Sequence, residues 1–168
     1  MAGSDIPVLG CVTRCADLTL PDRHLGLVQA REHPDLDGFL DRAARHVGAS
    51  IDLDLLIGAA RATTITEASQ SCPLPPLGQH IAVARDDAFA FCYPYVLDSW
   101  RRAGCSIELF SPLADEAPSR SADAIYLPGG YPELHANRLA EAGNFFGVMQ
   151  ECADRGAFIY GECGGYMV

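Results

Sequence analysis

Apolar positions change rhythm part-way along this chain. From Pro34 to Gly48, Leu36, Phe39, Leu40, Ala43, Ala44 and Val47 recur at the three- and four-residue spacing that lines one helix face. The pattern predicts a helix there, with Gly48 as its C-terminal cap. A shorter helix is predicted over 52–62, and a strand ahead of both, over Val8–Thr13. The stretch 66–79, "TEASQSCPLPPLGQ", has no period and is rich in Ser, Pro and Gly, so it reads as a linker. It divides the chain into a front piece, 1–65, and a back piece, 80–168.

The back piece alternates between short apolar runs and helical spacing. "HIAVA", "SIELFSP", "ADAIYLPGG" and "AFIYGECGG" read as strands, the last of them buried. "YVLDSWRRAG", ended by Gly104, "ELHANRLAEA" and "NFFGVMQECADRG" read as helices. Such alternation predicts a parallel sheet with helices on both faces. In these sheets ligands bind beyond the carboxyl ends of the strands. Two glycine turns fall there, Gly129-Gly130 and Gly161–Gly165.

Composition narrows the field. The formal charge of −10 leaves no basic stripe to neutralise phosphates, which argues against a nucleic-acid partner. No apolar run is long enough to span a bilayer and no signal-peptide pattern opens the chain, so no membrane partner and a cytoplasmic location are expected. The chain contains no lysine, which removes both a Walker-type phosphate loop and a lysine Schiff base. Seven cysteines lack the paired spacing of a zinc site; no metal site is expected, and most thiols are expected to be buried and reduced.

Gly161-Glu162-Cys163-Gly164-Gly165 has the form of a nucleophile elbow. The nucleophile sits on a tight turn after a strand, and the residues two before and two after it must be small. A helix starting at the turn would favour the Cys163 thiolate. The Gly164 N–H would face an oxyanion, with a second N–H from the Gly129-Gly130 turn. The competing reading is a small buried core cysteine. His135, just after the second turn, is a weak candidate for the base. His33, His46 and His80 read as exposed or linker residues, Cys152 as core, and Phe89, Phe91 and Tyr93 as core or wall.

Four stretches, "IAVARDDAFAFCYP", "FSPLADEA", "YLPGGYPELHA" and "IYGECGGYMV", together resemble the glutamine amidotransferase domain of the cobyrinic (or hydrogenobyrinic) acid a,c-diamide synthases. "LPDRHLGLVQA" in the front piece resembles the end of their ATP-dependent synthetase domain. The resemblance implies an α/β, flavodoxin-like fold of the class I glutamine amidotransferase kind, incomplete at its C-terminus. It implies that 1–65 is the remnant of a synthetase domain and 80–168 a glutaminase domain. Cys163 would attack the glutamine side-chain amide, Gly130 and Gly164 would hold the oxyanion, and ammonia would pass to the corrinoid a and c carboxylates. ATP and Mg²⁺ would serve the full enzyme from a site largely outside this chain. Arg23, His24, Arg85 and Tyr131 are candidates for substrate or interface contacts, and a homodimer is an open expectation. The family's base is a histidine downstream of the elbow; none follows Cys163 here, so the chain is expected to be an excerpt, inactive alone.

Three rivals remain at this level. One is a related tetrapyrrole diamide synthase. Another is a flavodoxin-like module whose elbow cysteine has a redox or hydrolytic role. The third is a non-catalytic domain with an inert thiol.

Overall fold

The computed structural model describes residues 6–20, 28–62 and 74–168. Arg23 and His24, and the linker as far as residue 73, lie outside the described residues. The chain divides into two compact units, Met1–Thr66 and Glu67–Val168.

The first unit is built on two helices, α1 (Leu36–Ser50) and α2 (Leu53–Ala59). Each begins on an aspartate that accepts a backbone N–H: Asp35 from Gly38 at 3.2 Å and Asp52 from Leu55 at 2.9 Å. Gly48 is not the cap of α1. The helix runs on to Ser50, whose hydroxyl donates to the His46 carbonyl at 2.7 Å, and Ile51 closes it. The strand expected over Val8–Thr13 does not form either. Gly10 makes one antiparallel bridge with Ile51, and Val8 and Val12 stay exposed, because no strand among the described residues lies beside them to share a ladder.

The second unit is a four-stranded parallel sheet. Its strands are β1 (His80–Ala84), β2 (Ser106–Phe110), β3 (Ala124–Leu127) and β4 (Phe158–Gly161), in the order β2-β1-β3-β4. Three helices accompany it: α3 (Pro94–Arg102), α4 (Ala136–Ala140) and α5 (Gly143–Asp154). Alternation along β1 and β3 sends side chains to two cores. Ile81, Val83, Ala124 and Tyr126 pack with Val96, Leu97 and Trp100 of α3. Ala82, Ala84, Ile125 and Leu127 pack with Leu139 of α4 and Phe145, Val148 and Cys152 of α5. Helices therefore cover both faces of the two central strands, as the alternation predicts.

The edge strands differ. Phe158, Ile159 and Tyr160 of β4 are partly exposed, so this strand is not the buried one its composition suggested. Among the described residues β4 pairs only with β3. On β2, Glu108 stands across from His80 at 3.4 Å. His80 also meets the Ser121 hydroxyl through Nδ1, His46 reaches the Thr13 carbonyl at 2.8 Å, and His33 accepts the Asp35 N–H. All three imidazoles are half-buried and bonded rather than the exposed residues expected. Of the described cysteines only Cys105 and Cys152 are buried.

Asp123 ties the start of β1 to β3 by accepting the N–H groups of Gln79 and His80, both at 2.9 Å. Desolvation pushes this carboxyl's pKa up, but the two backbone donors outweigh it and hold the group below the usual carboxylate range. A folded-state pKa below the unfolded one adds stability above the unfolded value, and that stability is lost as pH falls through the folded value. Asp123→Asn should therefore lose less stability than the wild type on acidification from about pH 5 to about pH 3. Urea midpoints across that window check this; parallel losses would show that Asp123 takes no part in the acid response.

Candidate active site

β1 is flanked by β2 on one side and β3 on the other, so the chain reverses its winding direction there. In open α/β sheets the crevice outside the carboxyl ends at such a point is where ligands sit. The segments after β1, β3 and β4 meet at this end of the sheet.

The segment after β4 is a tight turn. Glu162 N–H donates to the Leu127 carbonyl at 3.1 Å, and the Glu162 carbonyl accepts the Gly165 N–H at 2.8 Å. Cys163 takes a left-handed backbone with φ of 50°, a conformation that costs a non-glycine residue about 1 kcal/mol. Its side chain is exposed, while Gly164 and Gly165 are buried. Within the described residues the chain continues as a single 3₁₀ turn, Cys163–Tyr166.

The requirement for small residues is met at backbone contact. A Cβ on Gly165 would collide with the Leu127 carbonyl and stand 2.5 Å from the Pro128 carbonyl. One on Gly161 would stand 2.7 Å from the Gly165 carbonyl. The second glycine turn closes on the first. A Cβ on Gly129 would lie 3.2 Å from that of Cys163, and one on Gly164 would lie 2.6 Å from the Gly130 carbonyl. The structure thus brings Cys163, Gly164, Gly129 and Gly130 together. Gly130 and Gly164 are both buried, and neither N–H donates to an acceptor among the described residues. Backbone donors without partners are rare inside a fold, and here two stand where the two turns meet.

The remaining sequence candidates are dispersed. Arg85 follows β1 with its side chain exposed, and its N–H binds the Phe110 carbonyl at 2.9 Å. Tyr131 is buried, its ring meets Phe91 edge-on at 5.4 Å, and its hydroxyl has no partner among the described residues. His135 lines a shallow depression with Glu133, Asn137 and Arg138, and Cys163 is not part of that lining. Phe89 is fully buried, whereas Tyr93 is exposed.

Two features were not legible beforehand. Tyr126 donates from its hydroxyl to Glu162 at 2.7 Å, linking the elbow to β3. Burial first, then the hydrogen bond to Glu162 and after it the Glu162 charge, push the Tyr126 pKa far up, so this hydroxyl stays a donor. Both residues line a groove of about 400 Å³ together with Tyr93, Tyr95, Trp100 and Tyr160. The tyrosines of "CYPY" are its only sequence signal. Beside Phe91, the half-buried Cys92 thiol is pushed up, chiefly by burial and further by Glu162, against the opposing Arg85 and Arg101 charges. Cys92 is therefore a poor competitor for Cys163 as nucleophile.

A parallel α/β sheet with a cysteine elbow at its carboxyl edge, closed on by a second glycine turn, defines a domain of the class I glutamine amidotransferase kind. The chain belongs to the CobB/CobQ-like glutamine amidotransferase domain family, whose model matches residues 80–168. It is 58% identical over 97% of its length to a protein of Brucella anthropi named hydrogenobyrinate a,c-diamide synthase. It is 54% identical over its whole length to the protein of that name from Rhizobium meliloti, and 50% identical over 97% of its length to that from Agrobacterium fabrum. The chain spans 38%, 39% and 37% of these three relatives. No solved structure matches it. No helix among the described residues is long and apolar enough to cross a membrane.

Proposed function

We propose that residues 80–168 supply ammonia from glutamine to an amidation of the a and c carboxylates of hydrogenobyrinic or cobyrinic acid, and that 1–65 closes the ATP-dependent synthetase part of the same polypeptide. The observation that carries this reading is the meeting of the two glycine turns at Cys163, where the Gly130 and Gly164 N–H groups bind no acceptor among the described residues. A thiolate at Cys163 attacks the amide carbon of glutamine, and the carbonyl electrons move onto oxygen. Two N–H groups that bind no acceptor among the described residues are suited to that oxyanion and need no reorganisation to receive it. Collapse of the adduct breaks the C–N bond, and the leaving nitrogen takes a proton and departs as ammonia. Water then releases glutamate from the thioester and restores the thiol.

The base that exchanges these protons is, in this reading, a histidine beyond Val168. ATP is a substrate of the synthetase part. The described residues contain no cluster of three His, Cys, Asp or Glu side chains fit to hold its Mg²⁺, and the chain has no lysine for a phosphate loop. Neither group is assigned a place on this segment.

Labelling of the intact polypeptide by a diazoketone analogue of glutamine tests the reading. Cys163 is expected to be the first cysteine modified, with glutamine protecting it. Modification of other cysteines while Cys163 is spared would end it. A redox role predicts instead ready oxidation of Cys163 to a sulfenic acid without glutamine protection.

A further inference from the structure

The loop after β1 has no assigned part, yet Gly130 is seated against it. A Cβ on Gly130 would collide with the Ala88 carbonyl and stand 3.1 Å from the Ala90 nitrogen. The Phe91 N–H donates to the Gly129 carbonyl at 2.9 Å, and the two residues form an antiparallel bridge. The position of the Gly130 N–H is therefore set by the course of residues 88–91.

One half-buried carboxylate holds that course. Asp86 accepts the Ala88 N–H through Oδ1 at 2.9 Å. Through Oδ2 it accepts the Ser111 hydroxyl and the Leu113 N–H, each at 2.9 Å. Ser111 is itself pinned: its N–H donates to Glu116 at 2.8 Å, and its hydroxyl accepts the Ala114 N–H. The loop after β1 is thereby tied to the segment after β2, on the side away from Cys163. Bonds to an ionised acceptor are roughly twice as strong as neutral ones, so this tie is stiff.

We propose that Asp86 is the positioning residue of the oxyanion turn: its carboxylate fixes the 88–91 loop, and the loop fixes Gly129-Gly130 over Cys163. This rests on the glutaminase reading. Asp86 touches no reacting atom in this scheme; it acts through Ala88, Gly130 and the N–H that Gly130 presents. An asparagine offers one acceptor oxygen where the carboxylate offers two, and its amide N–H₂ faces a donor.

The test uses Asp86→Asn and Ser111→Ala in the intact polypeptide. Asp86→Asn is expected to lower kcat for glutamine hydrolysis about ten- to a hundredfold, since a small misplacement of a catalytic group costs up to about a hundredfold. KM is expected to stay within about twofold. Labelling by the diazoketone should slow with kcat, because its carbonyl uses the same donors. Alkylation of Cys163 by iodoacetamide, which needs no oxyanion, should not slow. Ser111→Ala removes one of the three bonds and should show the same split at a few-fold, which covers a failure of Asp86→Asn to fold. Unchanged kcat, or iodoacetamide and diazoketone rates falling together, would overturn the proposal while leaving the glutaminase reading in place. Glutamine hydrolysis that survives Cys163→Ser would overturn that reading, and this proposal with it.

Discussion

Cys163→Ser in the intact polypeptide is expected to remove glutamine hydrolysis by at least about 10⁴-fold, as loss of a nucleophile does in other covalent hydrolases. Serine keeps the size of the side chain and the left-handed backbone, so the turn should persist. What is lost is an ionisable sulfur: the hydroxyl does not ionise near neutral pH, and no strong base lies against it among the residues described. Amidation driven by added ammonium salt should continue, because free ammonia bypasses the glutaminase half. Measuring both activities on one preparation separates the outcomes. Loss of the glutamine reaction with retention of the ammonia reaction supports the division of labour. Loss of both would mean that residue 163 serves the fold. Retention of both would mean that Cys163 is not the nucleophile.

Gly165→Ala should be nearly as severe, by a different route. The added methyl would occupy space held by the Leu127 and Pro128 carbonyls, the end of the central strand β3. Backbone cannot rotate away as a side-chain tip can, so the turn must lift. Overpacking of this kind costs about 3 kcal/mol, and a displacement of the elbow of about 1 Å adds about a hundredfold in rate. Denaturant midpoints and glutaminase kcat should therefore fall together. A stable, fully active alanine variant would show that the close seating of the two glycine turns is not needed for catalysis.

The parts of this molecule legible in the sequence are those whose cause is local. β1 and β3 read correctly because "HIAVA" and "AIYL" are apolar almost throughout, as strands buried on both faces must be. Gly104 ends its helix with a φ of 94°, and the glycine alone announces that. The elbow was legible because glycine spacing reports a steric demand within five residues. Misreadings arose where the deciding partner is distant or missing. Val8–Thr13 has strand composition but no neighbour among the described residues to pair with. Gly48 resembles a cap, yet the Ser50 hydroxyl and the Cys11 N–H, which binds the Ser50 carbonyl, carry the helix past it. β4 looked buried because its residues are apolar; nothing in four letters says whether a helix covers them. Asp86 has no local signal, because two of its three partners, Ser111 and Leu113, lie 25 and 27 residues further along the chain.

The two sides of the sheet are not equally defended against strangers. β2 carries a charged Glu108 in its middle, a common guard against unwanted strand addition. β4 carries none: among the described residues Phe158, Ile159, Tyr160 and Gly161 pair on one side only, with β3, and set aromatic rings beside the other. Produced by itself, this stretch of polypeptide should become stickier as it is concentrated.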